Sequence, residues 1–178
     1  MSDHLVISAL GNDQPGIVKK LSAVILDQHC NIADSRMAVL GGEFAIILLV
    51  NGTPEDIEQL QQRLDNEQQP LGLTITCRQT HNNRTTERPQ RPYTVEAVAL
   101  DHPGIVQRLA GFFADRHLNI ENLNTSSYPA AHTGTPMFRL QMHINTPAET
   151  DINALREQFI EFCDNLTIDA SLEPGDQD

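Results

Sequence analysis

Aspartate, proline and glycine stand together twice in this 178-residue chain, as Asp13-Gln14-Pro15-Gly16-Ile17-Val18 and as Asp101-His102-Pro103-Gly104-Ile105-Val106. The copies lie 88 positions apart, each between an apolar strand-like run and an apolar helix-like run. At such a strand-to-helix turn the first amides of the helix lack an internal partner, and their dipoles favour a small anion. Each residue type has a use there. The aspartate can cap the helix by accepting from exposed amides, where its charge complements the positive end of the dipole. Proline fixes φ at a place where no amide is missed. Glycine removes a side chain where a second backbone or a ligand approaches. The carboxylate of an amino acid suits the amides, and its ammonium suits an Asp or Asn side chain. The same residues also begin a helix well without any ligand, and duplication copies a cap as readily as a site. On the residues alone, both readings stand level.

The elements that must position the first turn follow from periodicity. Residues 4–10 form a short β-type run ending at Gly11-Asn12-Asp13. Ile17, Val18, Leu21, Val24 and Ile25 make one face of an amphipathic helix, with Pro15 expected in its first turn. Ile32 to Leu40 and Phe44 to Val50 flank Gly41-Gly42, a tight hairpin signal. Thr53-Pro54-Glu55-Asp56 supplies a capping hydroxyl, a first-turn proline and early acids before Ile57, Leu60 and Leu64. Pro70 is the expected stop, and Leu73, Ile75 and Cys77 alternate as a last strand. The order β-α-β-β-α-β is that of the α+β ferredoxin-like fold, a four-stranded antiparallel sheet with both helices on one face.

From Tyr93 the pattern restarts, with Val95, Ala97 and Ala99 as a strand and Ile105, Val106, Leu109, Phe112 and Phe113 as a helix face, 88 after their counterparts. Leu118-Asn119-Ile120 answers Cys30-Asn31-Ile32, but Ile152, Leu155, Phe159 and Leu166 follow Ile57, Leu60, Leu64 and Leu71 by 95, so seven residues are inserted around Tyr128 to Pro136. Thr146-x-x-Glu149 has the form of a capping box for the last helix. Leu166, Ile168, Ala170 and Leu172 then close the second sheet. The chain therefore reads as two duplicated domains over 1–79 and 93–173, joined by a polar linker over 80–92 and followed by an acidic tail over 174–178. Arg84, Arg88 and Arg91 in the linker read as a solvated connector rather than a phosphate patch.

Composition narrows the classes. A formal charge of −12 repels phosphate backbones and argues against direct nucleic-acid binding. The chain has no Trp and only two Tyr, which argues against a base-stacking platform. No apolar run reaches 18 residues, so no membrane-spanning helix is expected. The start lacks a signal-peptide layout, and three scattered cysteines suggest no disulfide framework, so a reduced cytoplasmic setting is expected.

An apolar strand, Asp-x-Pro-Gly-Ile-Val, an apolar helix and then Asn-Ile resembles the ACT domain, a regulatory module that commonly binds amino acids. The resemblance covers nearly the whole chain apart from linker and tail. It implies that the turn is a ligand-contacting loop, usually at an interface between two such domains. Carried over by position, it nominates Asn12, Asp13, Gln14, Pro15, Gly16 and Ile17, then Asp101, His102, Pro103, Gly104 and Ile105, with Asn31 and Asn119 as further candidates. The copies differ: Asn12 corresponds to Leu100, and Gln14 corresponds to His102, a group that titrates. Two ACT-like domains alone at this length resemble the ACT regulators of the glycine cleavage genes. What that implies is a co-repressor without its own DNA-binding domain. Such a protein works through a LysR-type activator, takes glycine as effector and needs no cofactor; it can also form a homodimer.

Other classes have their own signals. The first motif also resembles the N-terminal domain of formyltetrahydrofolate deformylase, but that enzyme needs a separate catalytic domain, and no Walker loop, Gly-x-Gly-x-x-Gly, His-Glu-x-x-His or Gly-x-Ser-x-Gly is present. His29 and His117 read as helix-end residues rather than metal ligands. Cys30, Cys77 and Cys163 read as small buried hydrophobes, and Phe112, Phe113, Phe159 and Phe162 as core. A ligand-free assembly module, joined edge to edge or helix to helix, is the remaining alternative.

Overall fold

The computed structural model describes residues 3–80 and 89–175. Its chain divides into two compact units, 1–85 and 86–178. The first contains β1 (Asp3–Asn12), α1 (Ile17–Asp27), β2 (Asn31–Leu40), β3 (Glu43–Gly52), α2 (Pro54–Leu71) and β4 (Leu73–Thr80). The second repeats the order with β5 (Gln90–Leu100), α3 (Ile105–Ala114), β6 (Asn119–Pro129), β7 (Pro136–Pro147), α4 (Ile152–Asp164) and β8 (Asp169–Pro174). The sheets run β2-β3-β1-β4 and β6-β7-β5-β8, with antiparallel neighbours throughout. This is the β-α-β-β-α-β arrangement expected, twice.

Alternation explains the layers. Leu5, Ile7 and Ala9 of β1 and Phe44, Ile46, Leu48 and Val50 of β3 are buried in one cluster with the inward faces of α1 and α2, so both helices cover one face of the sheet. The second unit has its own cluster, built on Tyr93, Val95, Ala97, Leu140, Met142 and Ile144 with Leu109, Phe112, Phe113 and Phe159. No buried residue belongs to both interiors. Val18 and Val106, expected on the helix faces that pack, are exposed at the same place in both units. Even the bulges are duplicated, between Ile32 and Asp34 and between Ile120 and Asn122.

Local chemistry accounts for most boundaries and corrects several. Gly41 and Gly42 have φ of 60° and 88°, the two positive values that a tight two-residue hairpin turn requires. Thr53 caps α2 through a reciprocal box with Asp56. Pro70 does not stop that helix. It sits in the last turn, where only one internal hydrogen bond is lost, and Gly72 in the left-handed conformation ends the helix instead. Thr146 caps nothing, because it is a buried residue of β7 paired with Arg91; Asp151 caps α4 by accepting from Asn153 and Ala154. The linker expected over 80–92 overlaps strand at both ends, since Thr80 closes β4 and Gln90, Arg91 and Pro92 pair with β7. Arg84 and Arg88 lie outside the described residues. At the other end Pro174 pairs with Tyr93, and the Gly175 amide donates to the Pro92 carbonyl at 3.0 Å, so the sheet extends into the segment expected to be tail. The seven-residue insert is divided between the hairpin loop, six residues rather than two, and longer strands β6 and β7.

Candidate functional site

The Asp-x-Pro-Gly motif folds as a reverse turn followed by a glycine-capped helix. The Ile17 amide donates to the Gln14 carbonyl at 3.3 Å, with Pro15 and Gly16 between them. Gly16 has φ 85° and ψ 3°, the third-position geometry of a type II turn, which only glycine adopts without strain. Gly104 repeats it at φ 98° and ψ −5°. Both glycines are the N-caps, and their carbonyls accept from the Lys20 and Arg108 amides at 3.0 Å. Pro15 and Pro103 thus precede the helices instead of entering their first turns.

The aspartate cap expected from sequence is not made, since no side chain caps α1 or α3. The cause is spacing. With glycine as the capping residue, Asp13 and Asp101 fall three positions too early to reach the amides that follow it. The first-turn amides are therefore uncapped by side chains, which leaves the helix dipole for water or a ligand. A Cβ built on either glycine meets nothing within 4 Å, so the space over each turn is open.

Each turn hangs from the neighbouring hairpin. The Asp13 amide donates to the Gly42 carbonyl and the Asp101 amide to the Pro136 carbonyl, each at 3.0 Å. The side chains are used differently. In the first unit the Gln14 amide donates to the Leu71 carbonyl at 3.3 Å, closing the end of α2. Among the described residues no hydrogen bond is made by the side chains of Asn12 or Asp13. In the second unit the Ser127 hydroxyl donates to the Asp101 carboxylate at 2.8 Å, and the His102 ring stays local, 3.1 Å from the Pro103 carbonyl. Sequence reading passed over Ser127. Its signal was a polar residue on β6 at the place where β2 carries the apolar Val39.

Asn31 and Asn119 do not join the turns within their own units. Asn31 is level with Asn51 and His4, whereas Asn12 is level with Glu43. Eight strand residues separate them, roughly 26 Å at about 3.3 Å each. Asn119 is likewise level with Asn145 and Pro92, at the far end of β5 from Leu100. The reason is topological: a β-α-β crossover returns to the edge from which it started, so β2 and β6 begin opposite the turns.

Gly11 fixes the first turn from behind. A Cβ there would lie 2.3 Å from the Gly72 carbonyl oxygen, so β1 and the junction between α2 and β4 approach closer than any side chain permits.

The remaining candidate chemistry is quiet. Burial pushes the Cys77 thiol up to about 11 and the Cys163 thiol up to about 12, with Asp65 and Asp164 adding repulsion; Cys30 is raised by burial and then by Asp56. A thiol held protonated is a poor nucleophile. His29 and His117 are left-handed residues just past their helices, with φ of 55° and 58°. No helix of the described residues is long and apolar enough to cross a membrane.

This geometry can be set beside known proteins. Residues 3–78 match the ACT domain. The chain is 32% identical over 173 residues to the glycine cleavage system transcriptional repressor of Escherichia coli (strain K12), covering 95% of this chain and 88% of that protein. The repressor of Shigella flexneri matches to the same extent. Among solved structures, an unknown protein from Galdieria sulphuraria superposes with a TM-score of 0.83 at 27% identity, covering 99% of this chain and 100% of that one. A crystal structure described as a glycine cleavage system transcriptional repressor superposes at 0.74 with 25% identity, covering 99% of each chain. Since the likeness runs over 95% of the chain at 32% identity, the chain belongs to the ACT-domain family of glycine cleavage system transcriptional repressors.

Proposed function

We propose that this protein is an amino-acid-responsive co-repressor of glycine cleavage genes that acts by touching another protein rather than DNA. The observation that carries the reading is the pair of glycine-capped turns whose helix amides no side chain caps. An effector's carboxylate would sit over the amides at Val18 and Lys19, and its ammonium would take Asp13 or Asn12. In the second unit Asp101, His102, Gly104 and Ile105 offer the corresponding surface, with the carboxylate already engaged by Ser127. Glycine is the first effector to try, because the relatives named above belong to the glycine cleavage system. A charge of −12 favours a protein partner over nucleic acid, and by family resemblance that partner is a LysR-type activator.

The test is thermal unfolding across the amino acids, followed by capture from cell extract with and without the effector. Glycine at one hundred times its dissociation constant should add about 2.7 kcal/mol to stability. Asp13→Ala should reduce that gain without changing the unliganded melting temperature. No shift with any amino acid at millimolar concentration would leave a ligand-free assembly module as the better reading. Tight binding of naked DNA would overturn the protein-contact mechanism.

A further inference from the structure

On the amino-acid reading above, we infer that the two turns no longer share one task. Ser127 closes the second turn by binding its aspartate, and the first turn alone is left to take the effector, one molecule per chain. In the second unit both polar ends of Asp101 are engaged by the β6–β7 hairpin. Its amide donates to the Pro136 carbonyl at 3.0 Å, and its carboxylate accepts from the Ser127 hydroxyl at 2.8 Å. An incoming ammonium has to compete there with a charge-assisted hydrogen bond already made. The residue before it offers no substitute, because Leu100 stands where the first unit has Asn12.

The first turn is built the other way round, tied from behind and free in front. Behind it, Gly11 lies against the Gly72 carbonyl closer than a Cβ would permit, and the Gln14 side chain donates to the Leu71 carbonyl at 3.3 Å. Neither tie is repeated: Ala99 and Thr167 hold the places of the two glycines, and the His102 ring reaches only the Pro103 carbonyl. In front, Val39 pairs with Phe44 as Ser127 pairs with Phe138, so a valine occupies the place of the serine. Valine has no hydroxyl to donate. Asp13 is exposed, and among the described residues its carboxylate makes no hydrogen bond or ion pair. Water alone satisfies it, and an ammonium displaces water without breaking a bond of the protein. A carboxylate on a fixed backbone and without a partner is the preorganised half of an ion pair.

Nuclear magnetic resonance of the nitrogen-15-labelled full chain, titrated with glycine and then with the other amino acids, reads the two turns separately. The expected result is a saturable shift of the Val18 and Lys19 amides with none at Val106 and Gln107. Asp13→Asn should remove that response, and Asp101→Asn should leave it intact. Leu100→Asn combined with Ser127→Val, which gives the second turn the residues of the first, should make Val106 and Gln107 respond as well. Val39→Ser should weaken the first response about fivefold, the worth of one added hydrogen bond to the carboxylate. Shifts at both turns of the wild type, shifts at the second alone, or a folded double variant whose second turn stays silent would overturn the inference and leave the amino-acid reading standing. No saturable shift at either turn with any amino acid would overturn both. Should the double variant fail to fold, Val39→Ser decides, and an undiminished first response then counts against the role given to Ser127.

Discussion

Thr167 is a β-branched residue held at positive φ. With His29 and His117 it makes up the non-glycine residues of positive φ among those described, at 58°, 55° and 58°. Each sits just past a helix, in the slot that Gly72 fills after α2 at 65°. The next residue's amide reaches back five positions in all three non-glycine cases, as Cys30 to Ile25, Leu118 to Phe113 and Ile168 to Cys163, which is the signature of a Schellman closure. Threonine is β-branched and pays most for this conformation, so Thr167→Gly should stabilise by about 1 kcal/mol. Urea titration should show the midpoint raised and the slope unchanged. Sequence located His29 and His117 at helix ends correctly but assigned them to the helix dipole, because the sign of a dihedral angle is not written in a side chain. The thiols give a pH prediction. Unfolded thiols ionise near 9.0, while burial, reinforced by Asp65 and Asp164, holds Cys77 to about 11 and Cys163 to about 12. Below pH 9 both states are protonated and the full stability is present; it is lost as pH climbs from 9 through the folded values. Cys163→Ala, although less stable at neutral pH for want of a buried side chain, should decline less steeply between pH 9 and 12 in denaturation series.

At the scale of elements, four consecutive residues were enough to read the start of α2, because a capping box is a local device. Thr53→Ala should cost about 1 kcal/mol in equilibrium unfolding, losing the Thr53 hydroxyl that accepts from the Asp56 amide. The same pattern misled at Thr146, where strand pairing with Arg91 took the residue into β7 and left Asp151 to cap α4. The difference lies in range: pairing is decided by a partner 55 positions away, and no local motif reports it. For the same reason the strands, the Gly-Gly hairpin and the amphipathic helices were legible, while the hydrogen bond from Ser127 to Asp101, 26 residues apart, was not. Asn31 and Asn119 belong to this class. Their place after each helix could be read, but which end of the sheet they reach depends on the crossover. Gly11 is a further case, since its need for glycine comes from a carbonyl on β4's approach.

At the scale of the whole chain, duplication was legible throughout because it is a comparison of the sequence with itself. The structure adds that the two interiors share no buried side chain. Leu60→Ala should therefore cost about 3 kcal/mol in the first unit, from lost burial and the cavity left behind. Hydrogen exchange should show faster opening in β1 and β3, with β5 and β7 unchanged; slowed or quickened exchange in both units would contradict separate cores. The interiors have also diverged in character. Among the described residues Phe44 is the single aromatic ring of the first interior, whereas Phe112, Phe113 and Phe159 meet edge-on or tilted in the second, with centroids 5.1–5.2 Å apart.

The placement of Tyr93 in the second interior and Tyr128 on β6 has an optical consequence. With tryptophan absent and these the only two tyrosines, tyrosine emission arises wholly from the C-terminal half. A fluorescence trace therefore watches one copy of the repeat while its twin passes unseen, and only a probe of the whole backbone records both.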